Sequence, residues 1–91
     1  MSEQLYTLHF TDRSVSSLKN LDRTVARRIV QKLEWLADNA AAIAHTPLTG
    51  DWQGYYRLRV GDYRVIYRLD HSLRMVVVEI IGHRSEIYDR P

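Results

Sequence analysis

Cysteine is absent from the 91 residues, which excludes disulfides and thiolate metal sites and points to a reducing compartment. No apolar run approaches the roughly 18 residues of a membrane span. The opening stretch "MSEQLYTLHF" lacks both the basic lead and the apolar core of a secretory signal. These absences together predict a cytoplasmic protein with no membrane partner. His9, His45, His71 and His83 show no metal-ligand spacing, so neither a metal nor a cofactor is expected. There is no glycine-rich loop to cradle a phosphate, and the serines lack a nucleophile context. A strong charge of either sign is also missing. The net charge is +2 and the isoelectric point 9.2, a mild lean toward nucleic acid, so any such site must come from local clustering.

What is present suits one globular domain spanning residues 1–91. Forty-five percent of the residues are hydrophobic, too many for a disordered chain. A chain of this size buries roughly 60–65% of its unfolded surface, enough for one core. "LYTLHF" alternates, with Tyr6, Leu8 and Phe10 on one side, and reads as a first strand. Thr11 or Asp12 can cap a short helix carrying Val15 and Leu18. After a break at Asn20–Asp22, Val25, Ile29, Leu33, Leu36 and Ala40 recur at helical spacing, and this helix is expected to end near Ala44, ahead of Pro47.

The rest reads as strands. Tyr56, Leu58 and Val60 alternate with Tyr55, Arg57 and Arg59, and Gly61-Asp62 fits a two-residue hairpin loop of type II′. Counting outward from that loop sets Val60 against Tyr63, Arg59 against Arg64, Leu58 against Val65 and Arg57 against Ile66. A second loop at His71-Ser72 would set Tyr67 against Val76, Val65 against Val78 and Arg64 against Glu79. Val76, Val78 and Ile80 then join the apolar face, while Met75, Val77 and Glu79 join the arginines. The expected fold is α+β: an antiparallel sheet of about four strands, in the order β-α-α-β-β-β, with a helical hairpin packed on its apolar face.

Acidic residues are almost missing from "GYYRLRVGDYRVIYR", where Arg57, Arg59 and Arg64 gather on one sheet face. Two readings stand open. The arginines can be a solvated strand face with long stems lying over the sheet. They can also be a phosphodiester site, since guanidinium groups fork onto phosphate oxygens, stay ionised and cannot act as bases. His83 and Tyr88 lie in the tail "GHRSEIYDRP", within plausible reach of Arg64, and either can move a proton. Tyr55 and Trp52 can stack on bases or seal the loop onto the domain.

"LTGDWQGYYRLRVGDYRVIY", followed by a Val/Ile strand and "GHRSEIY", resembles the RelE/ParE toxin superfamily of type II toxin–antitoxin systems over nearly the whole chain. The RelE branch comprises metal-independent endoribonucleases that cut mRNA in the ribosomal A site. There the ribose 2′-hydroxyl attacks the adjacent phosphate. The ParE branch inhibits DNA gyrase. The tail pair favours the RelE branch. Carried over by position, the resemblance implies that Arg57 and Arg59 bind substrate and that Arg64, Arg84 and Tyr88 are catalytic; Tyr55 joins the substrate-binding residues and His83 the catalytic ones on their own chemistry. Both strand positions are Arg where relatives often carry Lys, so proton transfer falls to His83 or Tyr88. The resemblance further implies a RelB-like antitoxin in a hetero-oligomer, with ribosome and mRNA as targets. The alternatives it leaves are a gyrase inhibitor, or a non-catalytic antitoxin- or RNA-binding module.

Overall fold

A computed structural model describes residues 5–87. The elements are β1 (Thr7–Phe10), α1 (Asp12–Lys19), α2 (Arg23–Asn39), β2 (Thr46–Pro47), a 3₁₀ turn (Gly50–Trp52), β3 (Tyr56–Val60), β4 (Tyr63–Asp70), β5 (Met75–His83) and α3 (Arg84–Ile87). They build a five-stranded sheet in the order β1-β5-β4-β3-β2. The α+β class and the helical hairpin are as expected. Two details of the sheet differ. β1 joins β5 in parallel, pairing Thr7 with Met75 and Phe10 with Val78. A two-residue strand, β2, adds an edge beside β3, and Pro47 is tolerated there because an edge needs fewer N–H donors.

The helices start where capping side chains allow. Thr11 Oγ1 accepts the Ser14 N–H at 3.1 Å and donates to the Glu79 carbonyl at 3.1 Å, so one hydroxyl both caps α1 and ties it to β5. Asp22 Oδ2 accepts the Thr24 N–H at 3.0 Å and opens α2. α2 stops at Asn39, short of the expected Ala44. His45 explains the early stop. Its Nε2–H donates to the Ala40 carbonyl at 2.9 Å, and its Nδ1 accepts the Tyr67 hydroxyl proton. The chain is thereby drawn off the helix axis and onto the sheet.

The core lies between α2 and one sheet face. Ile29, Leu33 and Leu36 are fully buried against Val65, Tyr67, Val76 and Val78. Each such aliphatic side chain contributes about 1.5–3 kcal/mol on burial. Burial also pushes the Tyr67 phenol above its ordinary range, with neighbouring Tyr56 adding to the effect.

The first hairpin has the counted register: Val60 faces Tyr63, Arg59 faces Arg64, Leu58 faces Val65 and Arg57 faces Ile66. Gly61 has φ of 58°, the left-handed conformation a type II′ turn needs at its first central residue. The second hairpin departs from expectation. Its strands close at Asp70 opposite Met75, so the loop is longer than His71-Ser72. Asp70 Oδ1 accepts the Leu73 N–H at 3.0 Å and the Ser72 hydroxyl at 2.9 Å, and Arg74 takes φ of 53°. Tyr67 therefore faces Val78, and Leu69 faces Val76.

A bulge then shifts the pairing between Ile66 and Tyr67, so that Ile66 faces Ile80, Val65 faces Ile81 and Arg64 faces Gly82. Glu79 is the extra residue and does not stand opposite Arg64. Ile80 moves to the arginine face, and Ile81 takes its place in the core.

Candidate active site

The face turned away from α2 carries the arginines. Arg57 and Arg59 alternate along β3, and Arg64 on β4 directly opposes Arg59. A two-residue hairpin closes on the hydrogen-bonded Val60–Tyr63 pair, so Arg59 and Arg64 form the next, non-hydrogen-bonded pair, with Cα atoms about 4.5 Å apart. Like charges so placed repel. The structure relieves this by turning Arg64 aside. Its Nη1 donates to the Gly61 carbonyl at 2.8 Å and to the Tyr63 carbonyl at 2.9 Å, and only 8% of the residue is exposed. Arg57 is half-buried and Arg59 exposed.

The same turn holds the tail. The Arg84 N–H donates to the Asp62 carbonyl at 2.8 Å, and Arg84 Nε lies 3.9 Å from Asp62 Oδ1. Consecutive residues of one turn thus anchor two arginines, one from β4 and one from α3. The anchors differ in strength. Arg64 is fixed by charge-assisted bonds out of solvent. The Arg84–Asp62 ion pair is long, with both side chains mostly exposed, and a phosphate can displace it at little cost.

His83 ends β5 opposite Tyr63, and the two rings meet edge to face at 5.4 Å and 85°. His83 Nδ1 accepts the Ser85 N–H at 3.2 Å and lies 2.9 Å from Ser85 Oγ. Gly82 lets α3 pack down: a Cβ there would sit 3.2 Å from Ile87 Cγ1. Tyr55, just before β3, packs perpendicular to Trp52 at 5.2 Å. Tyr88 lies outside the described residues.

Arg59, Arg64 and Arg84 lie at the Gly61–Asp62 end of the β3–β4 hairpin, whereas His83, paired with Tyr63, lies on the core side of the sheet there and Arg57 stands further along β3. Tyr55 sits at the other end of β3 and does not join them. Two features had no sequence reading. One is the hold of Asp62 on Arg84, through its carbonyl and its carboxylate. The other is a concavity of about 480 Å³ beside Gly82, bordered by Ile66, Ile80, Trp52, Glu86, Arg13 and Ser17. The bulge explains it, because it brings Ile80 onto this face beside Ile66. A second apolar residue in "EII" was the only trace in the sequence. Among the described residues, no three His, Asp or Glu side chains cluster as a metal ion would require, and no helix is long and apolar enough to cross a membrane.

Residues 8–88 match the family described as the ParE toxin of the type II toxin–antitoxin system parDE. Toxin RelG of Mycobacterium tuberculosis is 28% identical over 85 residues, covering 93% of this chain and 98% of that protein. Among solved structures, the RelBE2 toxin–antitoxin complex of M. tuberculosis has a chain that superimposes with a TM-score of 0.79 at 26% identity, covering 90% of this chain and 94% of that one. A variant of Escherichia coli toxin RelE bound to an antitoxin RelBc peptide aligns with a TM-score of 0.71 at 26% identity, covering 93% and 92%.

Proposed function

From the premise that the chain belongs to the ParE/RelE family of toxins of type II toxin–antitoxin systems, we propose that it is a ribosome-dependent mRNA endoribonuclease held in check by a RelB-like antitoxin. The supporting observation is that Arg64 and Arg84, from segments far apart in sequence, are tied to adjacent residues of one turn. A dianionic phosphorane needs positive charge converging from more than one direction, and guanidinium groups held near one turn supply it.

In this reading Arg57 and Arg59 grip the backbone of the RNA, with Tyr55 stacking on a base further along β3. The 2′-hydroxyl attacks the adjacent phosphorus and loses its proton to a base. The P–O5′ bond breaks, and the departing oxygen takes up a proton. The products are a 2′,3′-cyclic phosphate and a 5′-hydroxyl end. Arg64 holds the phosphate, and Arg84 leaves Asp62 to meet the developing charge. Arginine stays protonated and cannot be the base. Proton transfer falls to the tail, to Tyr88 or His83. The cytoplasm, where ribosomes work, is the compartment this requires. The antitoxin is expected to cover the arginine face in a hetero-oligomer, as the related toxins occur in complexes with theirs.

Primer extension on translated mRNA after induced expression tests the reading. Cuts phased to codons support it. Intact mRNA in growth-arrested cells refutes it. A second reading, a gyrase-directed inhibitor, is favoured by the ParE description of the matched family; DNA damage with intact mRNA is its signature. Neither outcome leaves a non-catalytic antitoxin- or RNA-binding module.

A further inference from the structure

The hydrogen bonds of His83 restrict what its ring can do. A backbone N–H only donates, so Nδ1 must present a lone pair to Ser85. In the neutral ring the proton then sits on Nε2, and Nε2–H cannot accept another. If His83 takes up a proton, it goes to Nδ1, where two N–H groups then point at each other. Proton transfer through either nitrogen therefore breaks the bond to Ser85. The ring plane is also fixed by the edge-to-face contact with Tyr63.

That bond has a counterpart in the same chain. His83 stands immediately before α3 and accepts from the N–H two residues on. Asp22 opens α2 with the same spacing, accepting from Thr24. His83 is thus the N-cap of α3. The first helical residue after it is Arg84, whose own N–H reaches Asp62. The charged groups on the elements around the ring are Asp62 in the turn, Arg84 and Glu86 on α3, Arg64 on β4 and, on α2, Arg28 beside Gly61, with the Tyr63 phenol on β4.

Resting on the endoribonuclease reading, we propose that His83 is a positioning residue: it caps α3 and thereby sets the Arg84 guanidinium against the Gly61–Tyr63 turn. Proton transfer is left to another group.

The test replaces the ring by another acceptor. His83→Asn keeps a cap oxygen, and His83→Ala removes it. On ribosome-bound mRNA, His83→Ala is expected to cut about 5- to 10-fold more slowly, while His83→Asn stays within about 3-fold of the parent chain. The rate–pH profile of His83→Asn keeps the parent's shape. Equal losses in both variants, or a limb missing from the His83→Asn profile, would overturn the assignment and make His83 a proton carrier.

If the parent chain cuts no mRNA, the endoribonuclease reading fails on its own, and nitrogen NMR still decides the role of His83. An unprotonated Nδ1 with a protonated Nε2 is expected, together with Arg84 and Ser85 amides that exchange about 5-fold faster in His83→Ala but not in His83→Asn. The opposite tautomer, or equal exchange in both variants, overturns the proposal even then.

Discussion

Arg59 and Arg64 face each other across the β3–β4 hairpin, and Arg64 avoids the encounter by folding its guanidinium onto the Gly61 and Tyr63 carbonyls. The turn is thereby stiffened and the charge of Arg64 fixed. Both bonds leave Nη1, and the ammonium of lysine ends one atom short of that position. Arg64→Lys is expected to lose about 1.5–3 kcal/mol of stability, the range for hydrogen bonds to charged groups. A urea midpoint unchanged from the parent would contradict this.

Arg64→Ala and Arg84→Ala should differ in what they damage. Each is expected to slow RNA cleavage by about 100- to 1000-fold, the loss typical of one transition-state donor. Only Arg64→Ala should also lower the thermal midpoint, because the Arg84 ion pair is exposed. Full growth arrest by both variants would remove the nuclease assignment.

Tyr67 predicts an alkaline limit to stability. Burial holds its phenol protonated in the fold, whereas the unfolded chain ionises near pH ~10. The native state then binds the extra proton, so stability falls as pH rises above about 10. Tyr67→Phe should flatten that limb while costing about 1–3 kcal/mol at neutral pH, where His45 Nδ1 loses its donor. Unfolding curves from pH 8 to 11 provide the check.

Asp70 predicts the acid side of the second hairpin. The Leu73 N–H and the Ser72 hydroxyl hold its carboxyl below the usual range. The stabilisation is fully present above the ordinary carboxylate value of about 3.9 and is lost as pH falls below it. Carbon NMR titration should show the Asp70 midpoint moving up in Ser72→Ala. An unmoved midpoint would mean that the Ser72 hydroxyl contributes nothing.

Gly82→Ala tests how closely α3 packs. The added Cβ would meet Ile87 Cγ1 at 3.2 Å, so α3 must shift by a few tenths of an ångström. The expected stability cost is about 1 kcal/mol, at the low end for overpacking. Cleavage should fall further than that, because Arg84 moves with α3. Equal activity at reduced stability would show that the position of α3 does not matter for the reaction.

The hairpin carrying Arg57, Arg59 and Arg64 was legible because a two-residue turn with glycine first leaves one way to count. The next hairpin was not. Asp70 folds its side chain over the loop, and Arg74 adopts a left-handed backbone, neither of which hydropathy records. The bulge at Glu79 was hidden because Ile80 and Ile81 are both apolar, so a reversal of inside and outside leaves the pattern unchanged. β2 was too short to detect. The tail residues Arg84 and His83 were legible by type, but not in their anchorage: a turn carbonyl and a helix cap are backbone relations, and residue identity does not announce them.

β5 lies between β1 and β4, although it follows the other four described strands in sequence. Until residues 75–83 are synthesised, the first strand has nothing to pair with, and the arginine hairpin has no neighbour on its β4 side. Assembly is non-local and correspondingly slow. Under the proposed function, an incomplete chain therefore spares the ribosome making it, since the sheet cannot assemble before β5 is present. A chain ending at Asp70 should give neither native circular dichroism nor growth arrest.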